Sequence, residues 1–213
     1  ELCNKMLKDN PPVTVEKTFA EEPKDIVTPY VEQKLSVSVP LFQLGFKEDV
    51  TAERKSTKEL VATEILLDVL ASESSPLFRR LLDNDLINES SFGYELFEGP
   101  GYASVLFSGE SRKPKETAEV IFEEIAKLKE TGIAAEDFTR TQKAIYGRNV
   151  AALNSSENIA NSMASLYFAG RELFNYLDQI ATITLDEVND ALGRLLNRDR
   201  AALSVVLPVE TEV

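Results

Sequence analysis

The chain has 213 residues, 43% of them apolar, with 36 acidic against 23 basic side chains and a net charge of -13. Such a length buries about 70% of its extended surface in one core without disulfides or metal, and the apolar fraction argues against wholesale disorder. The acidic balance opposes non-specific attraction to nucleic acid and anionic membranes, while the absence of histidine removes the usual general base, the usual catalytic zinc ligand and every familiar serine or cysteine triad.

Cys3 is the single cysteine. An intrachain disulfide framework is therefore impossible, and a reducing compartment, the cytoplasm, is the expectation. No apolar run reaches the length needed to cross a bilayer. Glu1 to Lys8 reads as a turn or two of helix, which Asn10-Pro11-Pro12 breaks; residues 1–22 read as a linker remnant and 23–213 as a single domain. Val31 to Val39 alternates Val31, Gln33, Leu35, Val37 and Val39 with mostly polar neighbours, the period of a half-exposed strand. After Pro40, the apolar residues Leu41, Phe42, Leu44 and Phe46 continue a second extended piece through Lys47, so the two pieces are expected to be adjoining strands of one sheet.

Ser56 with Glu59 three positions on is a capping box for a helix from Thr57 to Ala71. Ser75-Pro76 opens a shorter helix with Leu77, Phe78, Leu81 and Leu82 inward. Leu86 to Ser111 organises the rest: Phe92 to Phe97 and Tyr102 to Ser108 are strand candidates joined by the turn Glu98-Gly99-Pro100-Gly101. The period then changes. Ala118, Ile121, Phe122, Ile125 and Leu128 recur at three- and four-residue spacing, which predicts a helix laid on that sheet.

Asp137 to Ala152 is helical with Phe138, Ile145 and Val150. Asn154-Ser155-Ser156 is a kink or a helix boundary, and Ile159, Met163, Leu166 and Phe168 form a further apolar stripe. Arg171 to Ile180 reads as helix, Thr184 with Glu187 as another capping box before Val188, Leu192, Leu195 and Leu196, and Ala201 to Val206 as the last strand. The layout predicts an α+β or mixed α/β fold with helices over a largely antiparallel sheet.

Chemical motifs are sparse. Neither GxxxxGK[ST] nor GxGxxG is present, so nucleotide binding lacks its usual phosphate cradle. Glu95 and Glu98 are candidate paired carboxylates for acid/base work, although two glutamates meet often by chance in an acidic chain. Glu123 and Glu124 read as a solvated helix face, and Met6 and Met163 as packing residues.

The opening VEQKLSVSVPLFQLGFK, the capped helices after it, and especially LINESSFGYELFEGPGYASVLFSGES resemble the C-terminal, non-metal-binding domain of the insulinase/pitrilysin-like zinc peptidases, near the processing-peptidase-like bacterial members. The resemblance runs from about Pro23 to Pro208 and rests on the order and spacing of its motifs. It implies one of two homologous halves that enclose a chamber for peptides, with zinc held in the other half by inverted HxxEH. That half would be a histidine-bearing N-terminal half or a partner subunit; homo-oligomerisation is a further expectation. The family's usual contribution from this half is an arginine followed seven residues later by a tyrosine, which steady the peptide carbonyl or developing oxyanion. The tyrosine position falls on Tyr94 and the arginine position on Ile87, which donates no hydrogen bond. Read from the residues alone, Tyr94 is a core ring with its hydroxyl bonded at the edge, and Ile87 is packing. The chain is thus expected to be no enzyme in isolation. It would help form the peptide chamber or, alternatively, serve as a scaffolding domain derived from an inactive peptidase.

Overall fold

The structure, a computed structural model, describes Met6, Thr18 and residues 22–48 and 55–209. Cys3, most of the expected first helix and nearly all of the expected linker remnant lie outside the described residues. Among the described residues five strands, β1 (Tyr30–Leu35), β2 (Leu41–Lys47), β3 (Gly93–Gly99), β4 (Tyr102–Glu110) and β5 (Ala201–Pro208), form one sheet in the order β1-β5-β2-β4-β3. All neighbours are antiparallel except β1 and β5.

The helices follow the periodicities closely. α1 (Thr57–Ala71) begins at Ser56, whose hydroxyl accepts the Glu59 N–H while the Glu59 carboxylate receives the Ser56 N–H. α2 (Pro76–Asp83) has Ser75 as its cap and Pro76 at its first position, where the missing N–H costs nothing. α3 (Pro114–Thr131), α4 (Ala135–Ala152), α5 (Ser156–Phe168), α6 (Leu173–Thr182) and α7 (Leu185–Arg194) follow, the last with Thr184 and Glu187 in a second capping box. Ser155 caps α5, so the Asn154-Ser155-Ser156 stretch is a helix boundary.

The hairpin between β3 and β4 turns through Pro100 and Gly101, and Gly101 takes a φ of 81°. Proline followed by a glycine at positive φ is the type II arrangement, in which a side chain at the second position would be strained. Helices cover one face of the sheet. Phe42, Leu44 and Phe46 of β2 and Val105 and Phe107 of β4 point into them and join Ile65, Leu66, Leu81, Ile121 and Ile145 in a single core. Phe46 meets Phe107 and Phe122 edge-on at 5.9 and 5.7 Å, the geometry that aromatic quadrupoles favour.

Four expectations change. β1 and β2 share the sheet but do not adjoin, because β5 inserts between them from the far end of the chain. The first strand ends at Leu35, where the Val37 N–H turns back to its carbonyl, and it lies at the sheet's rim with Val31 and Leu35 exposed. Further along the chain, α5 buries none of its residues: Met163, expected to pack, is 48% exposed, Phe168 is exposed as well, and Ile159 and Leu166 are only half-buried. Glu124 also departs from a solvated position, its side chain being only 12% exposed beneath Lys127.

Candidate functional site

Beyond the capping Glu59, α1 carries two acidic residues, Glu64 and Asp68, four apart among mostly apolar neighbours; that spacing puts both on one helical face. The fold brings β3, α4 and α6 against this face. Tyr94 of β3 donates its hydroxyl proton to Asp68 Oδ1 at 2.7 Å, and Arg148 of α4 donates from Nη2 to Asp68 Oδ2 at 2.7 Å. One turn earlier the Tyr176 hydroxyl of α6 donates to Glu64. The four elements are thus joined by a seam of polar groups beside the core.

Burial shapes the protonation of these groups. Loss of solvent pushes the Tyr94 phenol well above its ordinary value, and its Asp68 partner, which accepts from the neutral hydroxyl, pushes it the same way. Tyr176 is raised by burial and by Glu64. Burial likewise raises the Glu64 carboxyl, against the Tyr176 hydrogen bond, with the Asp68 charge adding to the rise. Arg148 is held more firmly protonated by its bond to Asp68. Neither phenol is poised to give up a proton near neutral pH; each is a neutral hydrogen-bond donor to a carboxylate.

Tyr94, Asp68 and Arg148 open on a cleft of about 510 Å³ whose wall also includes Glu73, Glu89 and Phe92. Ile87 is buried in the core at 8% exposure and borders a different hollow, with Val39, Asn88 and Glu110. The structure therefore does not bring Ile87 and Tyr94 into one hollow. Glu95 and Glu98 do not form a carboxylate pair either. Residues three apart in a strand face opposite sides, and here Glu95 is exposed while Glu98 is buried against Arg171 at 2.5 Å. Phe97 and Tyr102 do pack together beside the turn, ring centroids 5.5 Å apart.

The sequence reading missed Glu64, Asp68, Arg148 and Tyr176. The acidic pair in the mostly apolar stretch from Leu60 to Ala71 was a visible signal; Arg148, 80 positions from Asp68, offered none. As for metal, the residues do not fit a zinc centre. The chain has no histidine, and among the described residues no group of three histidine, cysteine, aspartate or glutamate side chains is arranged to hold a metal ion.

Residues 1–145 match the family model described as the peptidase M16 inactive domain. A relative from Bacillus subtilis (strain 168), the uncharacterised zinc protease YmfH, is 28% identical over 180 residues, covering 83% of this chain and 41% of its own. The crystal structure of a protein described as an M16-like peptidase from Alicyclobacillus acidocaldarius superposes with a TM-score of 0.82 at 25% identity, covering 97% of this chain and 49% of that one. A Helicobacter pylori protease shares the fold at a TM-score of 0.80 and 17% identity, covering 96% of this chain and 50% of that one. The chain therefore spans about half the length of these relatives. It belongs to the peptidase M16 inactive-domain family.

Proposed function

We propose that the chain is the non-catalytic half of a zinc-dependent peptidase and helps to form the chamber that holds peptide substrates, in the cytoplasm. The zinc and its water would belong to a histidine-bearing half, in the same polypeptide or in a partner subunit, and this half would supply a wall. The observation that carries the reading is membership of an inactive peptidase domain family by a chain that spans half the length of its relatives.

The sheet adds support. Its face away from the helices carries Val31 and Leu35 on one edge strand, Leu41 near the middle and Phe97 on the other edge strand, each 38% to 52% exposed, and apolar side chains spread over one face favour coverage by a partner. Within the chamber Tyr94 would act by its hydroxyl, as a positioning contact for peptide, with Asp68 and Arg148 fixing its orientation. Ile87 contributes packing alone. Its place at the family's arginine position favours a second reading, a scaffolding domain descended from an inactive peptidase.

Assembly tests the first reading. The chain and the histidine-bearing half are expected to co-sediment, and a Val31→Lys, Leu41→Lys variant that keeps its circular dichroism spectrum is expected to lose that association. Failure of the two halves to associate would contradict the proposal. Association without peptide hydrolysis, with the zinc ligands of the other half also lost, would favour the scaffold.

A further inference from the structure

A cavity of about 860 Å³ lies where the start of α1, the hairpin turn, the α5–α6 junction and α6 meet. Among the described residues its charged lining is entirely cationic, from Lys55, Lys58 and Arg171, and Asn175 and Gln179 add amide groups. That is a local inversion in a chain of net charge -13. Two of the cations have carboxylates behind them: Lys58 pairs with Glu187 at the surface, and Arg171 with Glu98 beneath it. Lys55 makes no salt bridge within 4 Å among the described residues, its charge acting at longer range on the Glu48 and Glu59 carboxylates. Arg171 is built into the wall, its side chain 7% exposed. One guanidinium nitrogen donates to Glu98 at 2.5 Å and to the Lys55 carbonyl at 2.7 Å, while the Nε–H has no partner among the described residues.

We propose that this cavity binds the carboxylate of a peptide. Lys55 and Lys58 supply the charge, the Asn175 and Gln179 amides supply neutral donors, and Phe168, 83% exposed at the rim, receives the adjoining apolar side chain. Lys58 changes partners at little cost, because exposed ion pairs such as that with Glu187 contribute little. The lining has no glycine-rich turn of successive N–H groups, the usual cradle for phosphate. Calling the ligand a peptide rests on the peptidase reading above; the carboxylate preference rests on the cavity alone.

The test is a titration of the isolated chain, followed by amide chemical shifts at low ionic strength, with three probes. They are N-acetyl-Gly-Ala-Phe with a free carboxyl terminus, the same peptide as its C-terminal amide, and amidated N-acetyl-Glu-Ala-Phe. Saturable shifts centred on Ser56 to Lys58 and Phe168 to Gln179 are expected for a carboxylate-bearing probe and absent for the neutral amide. The free-terminus and glutamate probes distinguish a chain end from an acidic side chain as the source. The surface variant Lys55→Gln, Lys58→Gln, with an unchanged fold by the same spectra, is expected to bind about tenfold more weakly. Equal response to the neutral amide, shifts centred elsewhere, or no saturable binding by any probe overturns the inference. Binding here needs no second half, so that failure would be separable from a failure of assembly or hydrolysis in the complete protein.

Discussion

Tyr94 commits its hydroxyl proton to Asp68, and that bond sets what the residue can do. A neutral phenol whose ionisation is pushed up by burial and by the adjacent carboxylate is a hydrogen-bond donor to Asp68 and not a general base near neutral pH. Tyr94→Phe removes the donor, leaves the ring packed, and keeps Asp68 bound to Arg148, so a loss of about 1–2 kcal/mol in chemical unfolding is expected. No loss would show that the bond contributes nothing net. Glu64 makes a pH-dependent prediction. A carboxyl raised in the folded state favours folding while protonated, so its contribution is complete below about pH 4.5 and is lost as pH climbs through the raised value. Glu64→Gln keeps an acceptor for Tyr176 and removes the charge. Its melting temperature relative to the parent should therefore rise between pH 4 and pH 7; a relative fall over that interval would contradict the burial argument.

At the scale of elements, Arg171 fastens three segments, the α5–α6 junction, the end of β3 and Lys55, the residue before the α1 cap. Removing one member of a buried pair strands the other charge, so Arg171→Met is expected to cost about 3–5 kcal/mol, with much of it recovered when Glu98→Met is added. An equal loss in the double variant would mean that the pair contributes through packing alone. α5 differs from the other described α-helices in having no buried residue, and thirteen residues are marginal for an isolated helix. Its amides should exchange at least about a hundredfold faster than those in the middle of α1, as measured by hydrogen exchange in the isolated chain. Comparable protection would contradict this.

These elements also show what a sequence reveals. The boxes Ser56–Glu59 and Thr184–Glu187 and the Ser75-Pro76 start were readable because a cap is satisfied within three residues of itself. The turn at Pro100-Gly101 was readable for the same local reason. The place of β5 between β1 and β2 was not, since its pairings join Leu41 to Val206 and Tyr30 to Leu203, and no local period encodes such a distance. The candidate site fared similarly: Tyr94 was visible as an aromatic on a strand, but its partners Asp68 and Arg148 come from helices that only the folded core brings together. The stripe on α5 was readable as apolar, but Met163, expected to pack, is exposed, because periodicity gives the direction of a helical face and not what lies against it.

For the whole molecule, one face of the sheet is filled by helices and the other presents exposed Val31, Leu35, Leu41 and Phe97. A half-covered sheet in a chain that spans half the length of its relatives is the physical form of the proposal that a second half completes the protein. The measurement that tests it most directly is zinc content together with peptide hydrolysis, for the isolated chain and for the chain assembled with a histidine-bearing half. The account predicts no stoichiometric zinc and no hydrolysis by the chain alone, and both in the assembly. Stoichiometric zinc in the isolated, folded chain, or hydrolysis by it, would contradict the account.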